Sequence, residues 1–197
     1  PLRIVVPIPP GGLGTALPRY IGDKFEERWK QPVVLEYKPG GGMFIGADYV
    51  SRAEPDGYTL ELASDTNATF RIFIKGNNFD PEKDLASVSL LARAPYVLQS
   101  PAAMPVKNIK EWIAYAKANP GKLNVGTVQS SGGHLNTLRF LRSAGLNAEL
   151  IFYQGGVPNL MALLANDIQL YLGNYGPSVP YLQARRLVPL ATTASSR

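Results

Sequence analysis

The fold is decided near the start of the chain, where residues 3–12 read RIVVPIPPGG. The run over residues 3–8 is apolar and β-branched, which is typical of a buried strand. Two prolines and two glycines then form a turn, and Leu17, Ile21 and Phe25 follow at a spacing of four residues, which predicts a helix. A strand, a Gly/Pro turn and a helix in this order predict a βα unit of a parallel sheet.

The same order recurs along the chain and predicts an α/β fold. Further strands are predicted at residues 33–37, 59–63, 87–91, 96–98, 124–128, 149–152, 168–172 and 187–192. Helices are predicted at residues 46–50, 109–116, 134–143 and 158–165, with a short one ending at Ala184, whereas residues 64–81 show less regularity. The 19 glycines and 17 prolines lie mostly at these junctions. We place the domain crossing after Leu98, so that residues 1–98 form the N-terminal part of the first lobe and residues 99–197 form the second.

Composition excludes several classes of protein. With 45% hydrophobic and 18% charged residues the chain has enough apolar material for a packed core, and no apolar run is long enough for a membrane span, so we expect no membrane insertion. The start at Pro1 lacks the pattern of a signal peptide, so we expect any export signal to have been removed. There is no cysteine and a single histidine, His134, which argues against a metal centre. The basic residues behind the net charge of +5 are scattered, so we expect no nucleic-acid partner.

Three loops stand where open α/β sheets bind ligands, after a strand and before the next helix. They are residues 9–15, 64–69 and 129–133. Small residues in the first and third expose backbone N–H groups at a helix start, which suits a carboxylate or phosphate, and the second offers hydroxyls. Alternatively, such loops only connect strands to helices. No nucleotide motif is complete, because Leu17 stands where G-x-G-x-x-G needs its last glycine, so no cofactor is expected.

Serine and histidine near one another raise the possibility of a hydrolase using Ser130 or Ser131. The G-x-S-x-G elbow is absent and the only histidine follows within a few residues, so we favour a structural role for His134 at a helix start. Asp56 and Asp80 occur in turn and helix-start contexts, and the Ca²⁺-loop pattern is missing. Catalysis and metal binding are therefore not expected.

Several short blocks, taken together and in order, carry a resemblance to a known family. They are the opening IVVPIPPGG at residues 4–12, QPVVLE at 31–36, KPG at 38–40, IGA at 45–47, PDGYTL at 55–60, VSLL at 88–91, NPGKL at 119–123, HL at 134–135 and YQGG at 153–156. In this combination the chain resembles the periplasmic solute-binding proteins of tripartite tricarboxylate transporters, the Bug family.

The resemblance implies a two-lobe, type II periplasmic-binding fold of the Venus-flytrap kind, a periplasmic location, no catalysis, and capture of a small carboxylate between the lobes. It also implies delivery to the subunits of a membrane transporter. A receptor that presents its ligand to a signalling partner is the alternative. The ligand-binding residues carried over from the family are Pro9, Gly11, Gly12, Ser64, Thr66, Gln129, Ser130, Ser131, Tyr153 and Asn174.

The chain departs from the family pattern at the expected site. Thr15 stands where many relatives have an aspartate, and Gly173 replaces another, although Asp65 restores one negative charge nearby. These changes favour an anionic ligand, a dicarboxylate or an aromatic acid, and we include Thr15 in the site. We also expect Phe70, Tyr153 and Tyr175 to line a pocket for an aromatic ring.

Length is a second departure. Relatives continue after the strand at residues 187–192 with segments that return to the first lobe, so the resemblance implies that this chain lacks those C-terminal segments.

Overall fold

The computed structural model describes residues 1–11, 13–76 and 78–194, which divide into two compact units. The first unit contains residues 1–89 and 130–132, and the second contains residues 90–129 and the described residues from 133 onward. The first unit ends before the predicted crossing at Leu98, because the strand that begins at Tyr96 pairs with strands of the second unit.

The first unit is built on three parallel strands. These are β1 (Leu2–Val6), β2 (Val33–Tyr37) and β3 (Thr59–Glu61), in the order β2-β1-β3. Its helices are α1 (Leu13–Trp29), α2 (Phe44–Ser51), which follows a 3-10 turn at Gly41–Met43, α3 (Asp65–Phe73) and α4 (Pro81–Asp84). The central strand β1 is buried along most of its length, whereas both flanking strands are half-buried for the most part.

An aromatic cluster joins α2 and α3 of the first unit to the segment that precedes α4. The rings of Phe44, Phe70 and Phe79 meet edge to face, with centroids 5.4 to 5.9 Å apart. Phe70 is fully buried in this cluster. Its predicted place in a ligand pocket is therefore wrong, because its ring is used by the hydrophobic core.

The second unit is built on a five-stranded mixed sheet. Its strands are β4 (Tyr96–Pro101), β5 (Asn124–Thr127), β6 (Glu149–Phe152), β7 (Leu170–Asn174) and β8 (Leu187–Thr192), in the order β6-β5-β7-β4-β8. β5 runs parallel to β6 and β7, and β4 runs antiparallel to β7 and β8. The helices are α5 (Ile109–Ala118), α6 (Gly132–Ala144), α7 (Gly156–Ala165) and α8 (Tyr175–Gln183). Trp112 of α5 is fully buried, and its indole Nε1 donates to the Gln169 carbonyl at 3.1 Å.

Two predicted segments differ from the structure. Residues 87–91 form no strand, and Val88 and Leu90 are 79% and 69% exposed, because no neighbouring strand among the described residues pairs with them. No regular element was predicted for residues 64–81, but the structure has α3 there, and α4 begins at Pro81. The other predicted strands and helices are confirmed to within a few residues at their ends. No helix in the described part of the chain is both long and apolar enough to cross a membrane.

Candidate functional site

The parallel strands of the first unit bring its predicted site residues to one edge of the sheet. β1, β2 and β3 all end there, because parallel strands share their direction. Pro9, Gly11 and Thr15 follow β1, and Ser64 and Thr66 follow β3. Gly12 lies outside the described residues.

Thr15 holds the loop that follows β1. The backbone N–H of Gly11 donates to Thr15 Oγ1 at 2.6 Å, and the Tyr37 hydroxyl at the end of β2 donates to the same oxygen at 3.3 Å. Gly11 has a φ of 136°, a conformation that favours glycine. The Gly11 amide, predicted to be bare for an anion, is thus already bonded to the Thr15 side chain.

The start of α3 is fixed by a reciprocal pair of hydrogen bonds. Ser64 Oγ accepts from the Thr66 backbone N–H at 3.2 Å, and Asn67 Oδ1 accepts from the Ser64 N–H at 3.4 Å, which forms a capping box. Thr66 is only 1% exposed, and its hydroxyl has no hydrogen-bond partner among the residues that the structure describes. A buried hydroxyl without a partner retains an unused hydrogen-bonding capacity.

Residues 130–132 pack against α3 within the first unit. The single hydroxyl proton of Thr69 is shared between the backbone carbonyls of Thr66, at 2.7 Å, and Ser130. At Gly132 a Cβ atom would overlap the Asp65 carboxylate, so glycine permits this close approach. The predicted site residues Ser130 and Ser131 are buried and belong to the same unit as Thr66.

A carboxylate that the sequence analysis missed lies at the end of β3. Asn67 Nδ2 donates to both carboxylate oxygens of Glu61, at 2.9 and 3.1 Å. Burial raises the pKa of Glu61 to about 7, against a smaller opposing effect of the hydrogen bond from Asn67. A lone acid inside the apolar strand sequence TLELA was the signal available in the sequence.

The remaining predicted residues share one edge of the second sheet. Gln129, Tyr153 and Asn174 lie at or just beyond the ends of β5, β6 and β7, which are parallel. Gln129 and Asn174 are exposed, and Tyr153 is half-buried with its backbone N–H bonded to the Thr127 carbonyl at 3.0 Å. Tyr96, at the start of the antiparallel strand β4, lies opposite Asn174 and was not predicted for this edge.

A buried amide supports the loop that contains Tyr153. Asn159 of α7 is fully buried, and its Nδ2 donates to the Gly155 carbonyl at 2.9 Å. Gly155 has a φ of 117°. The side chain of Asn159 therefore fixes the turn into α7 from within the core of the second unit.

His134 occupies a structural environment at the start of α6. Its ring meets Phe152 edge to face with centroids 5.1 Å apart, and it is 7% exposed. Burial lowers the pKa of the imidazole and favours its neutral form. This packing agrees with the predicted helix-start role. Within the described ranges there is no group of three or more histidine, aspartate or glutamate side chains that could hold a metal ion.

Comparison with known proteins gives consistent matches along the chain. Residues 17–197 match the sequence profile of the family described as "Tripartite tricarboxylate transporter family receptor". A UPF0065 protein of Bordetella pertussis is 34% identical over 171 residues, which are 86% of this chain and 53% of that protein. These matches confirm the resemblance drawn from the short sequence blocks.

Two solved structures share the fold over the whole chain. Rpa4515 of R. palustris, solved with adipate, is 31% identical with a TM-score of 0.92, and the match covers 66% of its length. MatC from Rhodopseudomonas palustris, solved with bound malate, is 25% identical with a TM-score of 0.91, over 67% of its length. The predicted α/β fold of the periplasmic-binding class is confirmed by these matches. The chain spans about half to two thirds of the length of the proteins that it matches.

Proposed function

Because this chain belongs to the tripartite tricarboxylate transporter receptor family, we propose that it captures a small carboxylate in the periplasm for delivery to membrane transporter subunits. The observation that carries the proposal is the match of the whole chain to Rpa4515, the protein solved with adipate. The malate bound to MatC supports the same class of ligand. A dicarboxylate or an aromatic acid is the proposed cargo.

The donors proposed for the ligand follow from the two sheet edges. In the first unit they are the hydroxyls of Thr66, Ser130 and Ser131, which surround the starts of two helices. Hydroxyls donate hydrogen bonds to carboxylate oxygens, and helix starts favour negative charge. In the second unit the proposed contacts are Gln129 and Asn174, both exposed, and the half-buried Tyr153. Pro9, Gly11 and Ser64 shape the first edge, with Ser64 acting mainly as a helix cap, and Gly12 remains a proposed contact on the resemblance alone.

Calorimetric titration of the full-length protein tests this function. Adipate, malate and benzoate are the probes, and adipamide is the neutral control that keeps the shape of adipate without its charge. We expect at least one acid to bind and to raise the melting temperature, with no detectable binding of the diamide. Binding only to amines or amino acids would contradict the proposal.

Labelling with a fluorophosphonate distinguishes binding from hydrolysis. A hydrolase using Ser130 or Ser131 would form a covalent adduct at that serine. We expect no adduct by mass spectrometry, since His134 is buried against Phe152. If an adduct forms on either serine and a bound acid prevents its formation, an enzymatic function would be indicated and the binding function contradicted.

A further inference from the structure

The first unit contains a half-buried carboxylate that is hydrogen-bonded to the start of α3. Glu61 accepts two contacts from Asn67 Nδ2, and Asn67 Oδ1 accepts from the Ser64 backbone N–H. Ser64 Oγ in turn accepts from the Thr66 N–H. One amide side chain therefore connects the end of β3 to the residues that begin α3.

Asn67 fixes its orientation through both ends of its amide group. Its nitrogen can only donate, and it faces an acid, whereas its oxygen can only accept, and it faces a backbone N–H. Asn67 is 7% exposed, so water does not replace these partners easily. A change in the charge of Glu61 therefore affects the backbone of Ser64 through one side chain, that of Asn67.

Charged groups on the elements packed against β3 have other partners. Arg3 of β1 lies 3.8 Å from Glu36, Arg52 lies 2.8 Å from Asp48 of α2, Arg71 of α3 lies 3.4 Å from Asp80, and Asp65 of α3 lies against Gly132. The other titratable group of α2, Tyr49, lies under the Lys38 ammonium. The pKa of Glu61 is accordingly set by burial and by Asn67.

We propose that Glu61 and Asn67 position the Ser64–Thr66 start of α3, and that the negative charge of Glu61 weakens the binding of a carboxylate there. This inference rests on the proposed function, because it assumes an anionic ligand at Thr66. Like charges in a partly buried site repel one another, and that repulsion disappears when Glu61 gains a proton. Carboxylate affinity therefore falls as the pH rises through the range in which Glu61 loses its proton.

The positioning role can be tested without any ligand. Amide NMR spectra of the full-length protein between pH 5 and 9 follow the backbone N–H groups of Ser64 and Thr66 and the side-chain amide of Asn67. We expect an inflection near pH 7 in all three, since burial raises the pKa of Glu61 to about 7. Glu61→Gln keeps an oxygen that accepts from Asn67 but cannot titrate, so its curves should be flat.

The matched control is Glu54→Gln, which removes the same charge from an exposed position of the first unit. It should retain the inflection near pH 7. A natural protein without an inflection, or a Glu61→Gln variant that keeps one, overturns the proposal.

Adipate titrations at pH 6 and pH 8 test the effect on binding. We expect the affinity of the natural protein to fall by roughly fivefold, at the low end of the coupling between interacting sites, and that of Glu61→Gln to change by less than about twofold. The ionisation of adipate itself affects both proteins equally. Equal pH dependence in the two proteins overturns the coupling but leaves carboxylate capture intact. Failure of every acid to bind contradicts the proposed function, while the NMR inflection still decides the positioning role.

Discussion

The two units hold the polar residues at their sheet edges in different ways. In the second unit the edge is formed by the ends of the largely buried strands β5 and β7. Asn174 ends β7, Gln129 follows β5, and both are exposed. In the first unit the polar groups bond to one another, as Thr15 does with Gly11 and Asn67 with Glu61. The contrast indicates that the strands themselves position Gln129 and Asn174, whereas a side-chain hydrogen-bond network positions the polar groups of the first edge.

Removing the largest buried side chain of the second unit should lower the stability of the protein more than any other change considered below. Trp112→Ala deletes a fully buried indole and its bond to the Gln169 carbonyl. We expect the free energy of unfolding to fall by about 4 kcal/mol. Hydrogen exchange should accelerate in residues 90–129 and 133–194 and remain slow in β1. Acceleration spread evenly over both units would contradict the assignment of the core around Trp112 to the second unit.

Trp29→Ala is the matched control for this change. Trp29 is 51% exposed at the end of α1 and stacks on Phe25 with ring centroids 4.4 Å apart. We expect a loss of about 1 kcal/mol or less, because little buried area disappears.

The hydrogen-bond network of the first unit should make its stability depend on pH. Burial raises the pKa of Glu61 from 4.5 to about 7, so the folded state disfavours the charged form. The contribution to stability is therefore greatest below pH 4.5 and declines between pH 4.5 and 7. Glu61→Gln removes this decline, so its advantage in unfolding free energy should grow from less than about 1 kcal/mol at pH 5 to about 3 kcal/mol at pH 8. Denaturant unfolding curves at both pH values measure the difference, and parallel pH profiles would contradict it.

The sequence predicted paired strands well and failed on one unpaired apolar run, and the reason is physical. Strands at 33–37, 149–152 and 187–192 were placed at their observed bounds because apolar runs between turns mark the strands of a sheet. The apolar run at residues 87–91 gave the same signal without a partner strand, since pairing depends on distant residues that a local pattern does not contain.

The site shows the same limit. The predicted site residues lie at or after the ends of the strands that the sequence placed before them, because topology follows from the βα order. The bonds of Thr15 to Gly11 and Tyr37, and of Asn67 to Glu61, depend on side-chain orientation and remained invisible. Phe70 was misplaced for a similar reason, since an aromatic residue near a loop suits a pocket and a core equally well in sequence.

The loop after β1 offers a smaller test of the network. Thr15→Val keeps the shape of the side chain but removes the oxygen that accepts from Gly11 and Tyr37. We expect a loss of about 1 to 2 kcal/mol in unfolding free energy, because each of the two hydrogen bonds is worth roughly 1 kcal/mol. Thr15→Ser restores the oxygen and should recover most of the loss. If the serine variant is as unstable as the valine variant, packing of the methyl group, and not the hydrogen bond, holds the loop.

Thr66 should show the smallest effect on stability and a clear effect on binding. Its buried hydroxyl has no hydrogen-bond partner among the described residues, so Thr66→Val should change the unfolding free energy by less than about 0.5 kcal/mol and could raise it. If the hydroxyl donates to the ligand, the affinity for adipate should fall about tenfold, which corresponds to about 1.4 kcal/mol. Thr137→Val is the matched control, because Thr137 of α6 is equally buried, its hydroxyl also lacks a partner in the described part of the chain, and it is not a proposed ligand contact. A loss of adipate affinity shared by both variants would remove Thr66 from the site and leave the first edge dependent on Ser130 and Ser131.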